Sequence, residues 1–169
     1  MTKKDRARSK ALTDALGALG YPAFASPDNT AAAQDPAVVL MAALRCRRLD
    51  TAVVEALPWL VLRHATMDWR WLVAEAQRHN AQNRLGFVVG LALRVGAGCD
   101  GMADRLAGLS AVEEELFAVR LEGEDTLWQD VDAGERRYLR QTRDELARDW
   151  RQITELGPRQ LAYDGFDCK

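Results

Sequence analysis

Glu75, His79 and Asn83 are the residues whose types and spacing could support catalysis. The segment EAQRHNAQNR places them four positions apart, and on an unbroken helix such residues share one face. A histidine oriented by a carboxylate can act as a general base. A nucleophile or a third metal ligand is missing nearby, and His64 is fifteen positions away in another predicted element. The sequence therefore favours a polar helix end and turn, and an enzyme with an unrecognised site is the third functional hypothesis.

A second candidate site is a binding surface around one tryptophan. Trp69 and Trp71 differ by two positions, so on a helix they point about 200° apart. If Trp69 faces the core, Trp71 faces another helix or a partner. Tryptophan and arginine are the residue types most often found as interface anchors. The predicted partner-binding residues are Trp71, Arg70, Arg78, Gln82 and Arg63.

Basic residues gather at the N-terminus and along the predicted last helix. These residues either form solvated, salt-bridged surfaces, or they form a patch that binds phosphates or an acidic protein. The formal net charge of −2 argues against a protein that coats nucleic acid through its overall field. A nucleic-acid-binding transcriptional regulator is therefore the alternative function rather than the first. Its predicted contacts are Lys3, Lys4, Arg6, Arg136, Arg137 and Arg140.

An acidic stretch lies between Arg120 and Arg136 and contains no basic residue. Its carboxylates either bind a metal or act as acid and base, or they belong to a solvated connection. The order of residues lacks the alternating ligands and the central glycine of a calcium loop, and Asp132 with Glu135 fits a helix capping box. The sequence favours the solvated connection, and no metal or cofactor is predicted. The acidic residues are Glu122, Glu124, Asp125, Asp130, Asp132 and Glu135.

Apolar residues recur at helical intervals along the chain, which predicts an all-α protein. We expect a compact bundle of about seven short-looped helices. A central apolar helix is predicted over residues 81–95, where Gly86 and Gly90 form a G-x-x-x-G pair that lets a neighbour pack closely. A long C-terminal helix is predicted over residues 133–156, ended by Gly157 and the proline that follows it.

Two local signals concern the helices between these. Pro58 either kinks the helix that follows Asp50 or lies in the first turn of a second short helix. Ser110 and Glu113 have the spacing of a capping box, which predicts that a helix begins there and runs to about residue 121.

Composition and length indicate one globular domain. The 169 residues are 48% hydrophobic and 28% charged, as in ordinary soluble proteins. We expect residues 1–34 to form a basic arm with a short helix and a loop, and residues 35–169 to form a single all-α domain. Cys46, Cys99 and Cys168 are odd in number and widely spaced, which fits neither a disulfide framework nor a zinc knuckle and indicates a reducing cytoplasm. No apolar run approaches the roughly 20 residues of a membrane span.

Three segments carry a resemblance to a known class of proteins: LDTAVVEALPWLVLRH, DWRWLVAEAQRHNAQNRLGFVVGLA and DWRQITELGPRQLAY. They resemble the helical C-terminal region of small bacterial regulators described as antitoxins or as partners of toxins. The resemblance covers roughly residues 36–163. It implies a non-catalytic, protein-binding regulator without a cofactor, whose partner is another protein, for example a toxin encoded alongside.

The part of the chain ahead of this resemblance bears on DNA binding. Antitoxin-like regulators often carry an N-terminal DNA-binding helix-turn-helix. The first 35 residues of this chain are polar and broken, so operator binding does not follow from the resemblance. Homo-oligomerisation is left open.

Overall fold

The computed structural model describes residues 1–161, and within that range the chain is all-helical. This confirms the predicted fold class, with eight α-helices where about seven are expected. Short 3-10 turns lie at Pro22–Phe24 and Pro158–Gln160. The helices are α1 (Lys3–Ala18), α2 (Pro36–Leu44), α3 (Thr51–Arg63), α4 (Trp69–Arg78), α5 (Gln82–Gly96), α6 (Ala103–Ala118), α7 (Ala133–Thr142) and α8 (Glu145–Asp149).

Helix α5 is the central element, as predicted from its apolar composition. It packs against α3, α4, α6 and α8, and every residue from Leu85 to Ala92 is buried. A helix that is apolar on all sides is stable only when neighbours cover all of them. Within residues 1–161, each helix falls short of the length or the hydropathy that crossing a bilayer requires.

Gly86 and Gly90 form a groove on α5 that accepts side chains from α8 and its C-terminal end. A Cβ atom at Gly86 would lie 2.1 Å from the ring of Trp150, and one at Gly90 would lie 2.6 Å from a methyl group of Leu146. Both distances are far inside van der Waals contact. The prediction that this pair permits close packing is confirmed, and we call Gly86 and Gly90 the glycine groove.

The long C-terminal helix predicted over residues 133–156 is wrong. Helix α7 ends at Thr142, Arg143 is extended (φ −57°, ψ 146°), and α8 begins after Asp144. The Asp144 carboxylate accepts a hydrogen bond from the Ala147 N–H at 2.8 Å. An aspartate that caps a new helix competes with continuation of the previous one. After Trp150 the chain turns at Arg151 (φ 57°) instead of continuing as helix.

Two other boundaries also come from the structure. Pro58 lies inside a single continuous helix, α3, which decides between the two interpretations of that segment. The helix start predicted at Ser110 is wrong, because Ser110 lies in the middle of α6. The buried side chains of Leu109, Val112 and Leu116 belong to one stripe, so the apolar period continues through the apparent capping box and overrides it.

Helix α1 shares the hydrophobic core with the helices that follow it. Leu12, Ala15 and Leu16 are buried in that core, and α1 packs against both α2 and α3. The Ser9 hydroxyl accepts a hydrogen bond from the Asp50 N–H at 3.1 Å. The basic N-terminal residues are therefore displayed on a helix that is fixed to the body of the protein.

The cysteines only partly follow the sequence-based expectation. Cys46 is a free, buried thiol that donates a hydrogen bond to the Ala42 carbonyl at 3.2 Å. Cys99 is not a free thiol, which the expectation of a reducing environment does not anticipate. Cys168 lies outside the described residues.

Candidate functional site

The predicted catalytic triplet falls on a helix–turn–helix junction, so its members do not share one helix face. Helix α4 ends at Arg78, and Asn80 takes a left-handed conformation (φ 53°) before α5 begins at Gln82. Glu75 lies 3.5 Å from the His79 imidazole. The opposite carboxylate oxygen of Glu75 lies 3.3 Å from Arg78. The structure therefore pairs Glu75 with His79, whereas Asn83, which lines the same cavity as His79, has other partners.

Asn83 is instead hydrogen-bonded to the backbone of the segment that follows α6. Its amide donates to the Leu121 carbonyl at 2.9 Å and accepts from the Leu121 N–H at 2.8 Å. The neighbouring Gln82 donates to the Val119 carbonyl at 3.2 Å and is buried. Both amides thus have structural partners in the backbone at and after the end of α6. Gln82 is therefore not part of the exposed surface that was expected to bind a partner, because its side chain is buried.

Arg84, in the first turn of α5, ties three segments together. Its guanidinium pairs with Asp125 through two nitrogens and donates to the Cys46 carbonyl at 2.7 Å. The same group stacks 5.0 Å from the ring centroid of Trp128. We call Arg84, Asp125 and Trp128 the arginine clasp.

The arginine clasp also supplies hydrogen-bond donors to the last carbonyl groups of α2. The last carbonyls of a helix have no partner within it. The Trp128 indole donates to the Ala43 carbonyl at 3.0 Å, and Arg84 donates to the Leu44 carbonyl at 3.4 Å. A cation near these carbonyls also interacts favourably with the helix dipole. The clasp is therefore a structural device, and its parts come from α5 and the acidic stretch.

The acidic stretch is ion-paired rather than simply solvated. Glu124 accepts hydrogen bonds from Arg140 at 2.8 Å and from Arg143 at 3.0 Å. The hydrogen bond from Arg140 lowers the pKa of Glu124 below its ordinary value. Within residues 1–161, no group of three His, Cys, Asp or Glu side chains is arranged to hold a metal ion. Further pairs join Glu122 to Arg151, Asp125 to Arg84 and Asp130 to Arg48.

A cavity of about 760 Å³ lies between the end of α2, the α4–α5 turn and the acidic stretch. Cys46 and His79 both line it, which would suit a thiol nucleophile and its base. Burial, however, raises the pKa of the Cys46 thiol, and a reactive cysteine requires the opposite shift. The cavity therefore lacks an activated nucleophile at Cys46.

The remaining predicted partner-binding residues lie on the surface. Trp71 is 38% exposed, and Asp68 caps its helix by accepting a hydrogen bond from the Trp71 N–H at 3.0 Å. Trp69 donates to the Ala65 carbonyl at 2.7 Å and packs against the core. The two tryptophans thus differ in environment as their spacing implies. The arginines Arg63, Arg70 and Arg78 are exposed.

The predicted nucleic-acid-binding residues occupy two helices. Lys3, Lys4 and Arg6 are exposed on the first turn of α1. Arg136, Arg137 and Arg140 lie on α7, and Arg140 is engaged by Glu124.

The structure adds arginines that the sequence interpretation missed. Arg47 and Arg48, from the α2–α3 connection, line one cavity with Arg136. No local pattern indicates this grouping, because these positions are almost ninety residues apart in the sequence.

No family model, curated protein or solved structure matches the chain. The polar side chains of the central region mostly have internal partners. Asn83 is hydrogen-bonded to Leu121, and Arg84 is hydrogen-bonded to Asp125. Trp71 is different, because it is a large side chain left exposed on a capped helix whose other face is buried.

Proposed function

We propose that this chain is a non-catalytic, protein-binding regulator of the antitoxin-like kind, which binds a partner protein and neutralises or regulates it, with Trp71 as its anchor. The observation that supports this is the 38% exposure of Trp71 on α4. Leu72, Val73 and Ala76 of the same helix are buried, so α4 cannot turn to hide the indole. An aromatic group held on a rigid element loses little conformational entropy when it binds.

The surroundings of Trp71 indicate the chemistry of the partner. Arg70 precedes it on α4, and Arg63 is exposed at the last residue of α3. Exposed arginines on the helix that carries the indole and on the helix before it favour a partner with an apolar pocket and carboxylates at its rim. Arg78 contributes less positive charge, because Glu75 lies 3.3 Å from it.

The test is a binding measurement between this chain and the protein encoded beside it, by calorimetry with purified components. Trp71→Ala should weaken the affinity by at least about 30-fold, because truncating a hot-spot aromatic costs about 2 kcal/mol or more. If the partner is toxic in cells, the wild-type chain should relieve the toxicity and the variant should not.

Tyr138→Ala is the matched control, since Tyr138 is an aromatic residue on α7 that is 58% exposed. It should bind the partner as the wild type does. Tyr138→Ala should keep the wild-type melting temperature, and Trp71→Ala, whose indole is 38% exposed, should melt slightly lower with wild-type helicity. Equal affinities for the Trp71 variant and the wild type would reject the proposed anchor. An absence of binding by the wild type would reject this partner.

A further inference from the structure

We propose that a second surface, formed by α1, the α2–α3 connection and the start of α7, binds phosphate groups. Its charged residues are Arg8, Arg47, Arg48, Arg136, Asp5 and Asp130, together with the Arg84–Asp125 pair of the arginine clasp, and we call them the arginine cleft. The cleft is separate from Trp71, which lies on α4 and lines neither of its cavities. This proposal therefore does not depend on the proposed partner interface.

The cleft consists of two adjoining cavities that share a wall. Both are lined by Arg47, Arg48 and Asp130, and their volumes are about 300 and 460 Å³. The larger one extends to Arg8 on α1, and the smaller one extends to Arg136 on α7. The fold thus gathers arginines from three parts of the sequence around one concave surface.

The charge of the cleft is opposite to that of the chain. Its five arginines face three aspartates, which leaves a formal charge of +2, whereas the chain carries −2. Concave surfaces lined by one sign of charge concentrate counter-ions of the other sign.

The three aspartates already have partners inside the protein. Asp5 accepts hydrogen bonds from the Thr2 hydroxyl at 2.7 Å and the Thr2 N–H at 3.0 Å, within a capping box. Asp130 pairs with Arg48, and Asp125 pairs with Arg84. Within residues 1–161, no ion pair engages Arg8, Arg47 or Arg136. Three guanidinium groups therefore remain for an external anion.

Phosphate is the anion that this arrangement fits best. Guanidinium groups present a planar fork of donors that matches phosphate oxygens two at a time. Arg47 and Arg48 line both cavities, with Arg8 in one and Arg136 in the other, so each cavity offers guanidinium donors. Free phosphate, a mononucleotide and the backbone of a nucleic acid share this chemistry, and the experiment separates them.

The test uses the full chain with three probes: inorganic phosphate, a mononucleotide and a fluorescein-labelled single-stranded oligonucleotide, at about 50 mM salt. Arg47→Gln with Arg136→Gln should weaken binding by about 100-fold, which is about tenfold for each charged hydrogen-bonding group removed. These residues make no ion pair in the described chain, so the double variant should keep the wild-type helicity and melting temperature. Arg8→Gln is a second variant on the other wall.

The control is Arg105→Gln with Arg159→Gln, two exposed arginines that line neither cavity and remove the same charge. It should stay within about threefold of the wild type, because only the long-range field changes. Oligonucleotide binding that falls linearly with log salt identifies a nucleic-acid backbone as the ligand. Saturable binding of the small probes alone identifies a free phosphate compound. Binding of no probe, or equal weakening by the cleft and control variants, would overturn the proposal.

Discussion

The glycine groove and the arginine clasp both hold α5 against the C-terminal part of the chain, but they do so by opposite means. Gly86 and Gly90 act through the absence of a side chain, which leaves room for Trp150 and Leu146. Arg84, only two residues before Gly86, acts through hydrogen bonds to Asp125 and to the end of α2. One helix therefore carries a steric attachment beside a polar one.

The difference between these attachments concerns what each tolerates. Close packing fails when atoms are added, because interiors have little free volume. A polar attachment fails when atoms are removed, because the partners that remain are buried without hydrogen bonds. Substitutions at the two sites should therefore destabilise the protein for different reasons, by overpacking at the glycine groove and by unsatisfied hydrogen bonds at the arginine clasp.

Gly86→Ala should have the largest effect. The new methyl group would lie 2.1 Å from the Trp150 ring, so the indole or α8 must move. We expect a loss of about 3 kcal/mol in the free energy of unfolding, at the upper end for overpacking. Urea denaturation followed by circular dichroism measures it.

Gly108→Ala provides the matched control for this substitution. Gly108 also lies inside a helix, α6, but nothing lies within 4 Å of an added Cβ atom there. It should stabilise the protein by about 0.5–1 kcal/mol through helix propensity alone. If both glycine variants change stability alike, the groove does not constrain α5.

Arg84→Met should have the next largest effect. It leaves Asp125 without its ion pair and the Cys46 carbonyl without its donor. Because the Arg84 side chain is 17% exposed, water screens part of the loss, and we expect about 2 kcal/mol. Arg84→Lys keeps the charge but not the fork of donors, so it should lose about half as much. If the Arg84→Met variant and the wild type are equally stable in urea titrations, the clasp is not an attachment.

The sequence predicts these two attachments unequally. The buried faces of α5 and the close approach at Gly86 and Gly90 follow from a local pattern, so they were predicted correctly. The partners of Arg84 are 38 and 41 positions away, and no local period specifies them. The same holds for Gln82, whose inward turn depends on the Val119 backbone.

The wrong predictions arise where local signals compete. Asp144 can support helix by pairing with neighbouring arginines or can interrupt it by capping, and the capping bond to Ala147 decides the outcome. At Ser110 the result is reversed, since the apolar stripe of α6 overrides a valid capping spacing. A cap and a stripe are both local, but their relative weight depends on what packs against the helix.

The pH dependence of stability gives a smaller test, of the ion pairs that Glu124, the residue before Asp125 of the arginine clasp, makes with Arg140 and Arg143. Hydrogen bonding to Arg140 holds the pKa of Glu124 below its ordinary value, which is about 4.3 in the unfolded chain. Its stabilising contribution is therefore complete above that pH and is lost as the pH falls through the lower, folded-state value. Glu124→Gln should lower Tm by about 3 °C at pH 7, and the difference should shrink as the pH falls through the folded-state pKa of Glu124. A difference that stays constant with pH would show that the ion pairs contribute nothing.

The smallest effect, and one of opposite sign, is expected at the glycine groove. Glu113 lies beside Gly90 and is hydrogen-bonded to Trp150, but burial raises the pKa of its carboxyl group. A raised folded-state pKa means that its contribution is complete at pH values below about 4.3 and is lost as the pH rises through the folded-state value. Glu113→Gln keeps a hydrogen-bond acceptor for Trp150 and removes the buried charge. Its Tm should therefore exceed that of the wild type by about 2 °C at pH 7 and equal it near pH 4, as calorimetric scans across this range would show. If the Glu113→Gln variant is less stable than the wild type at pH 7, the charged hydrogen bond to Trp150 outweighs the cost of burying the carboxylate. The glycine groove would then be partly a polar attachment as well.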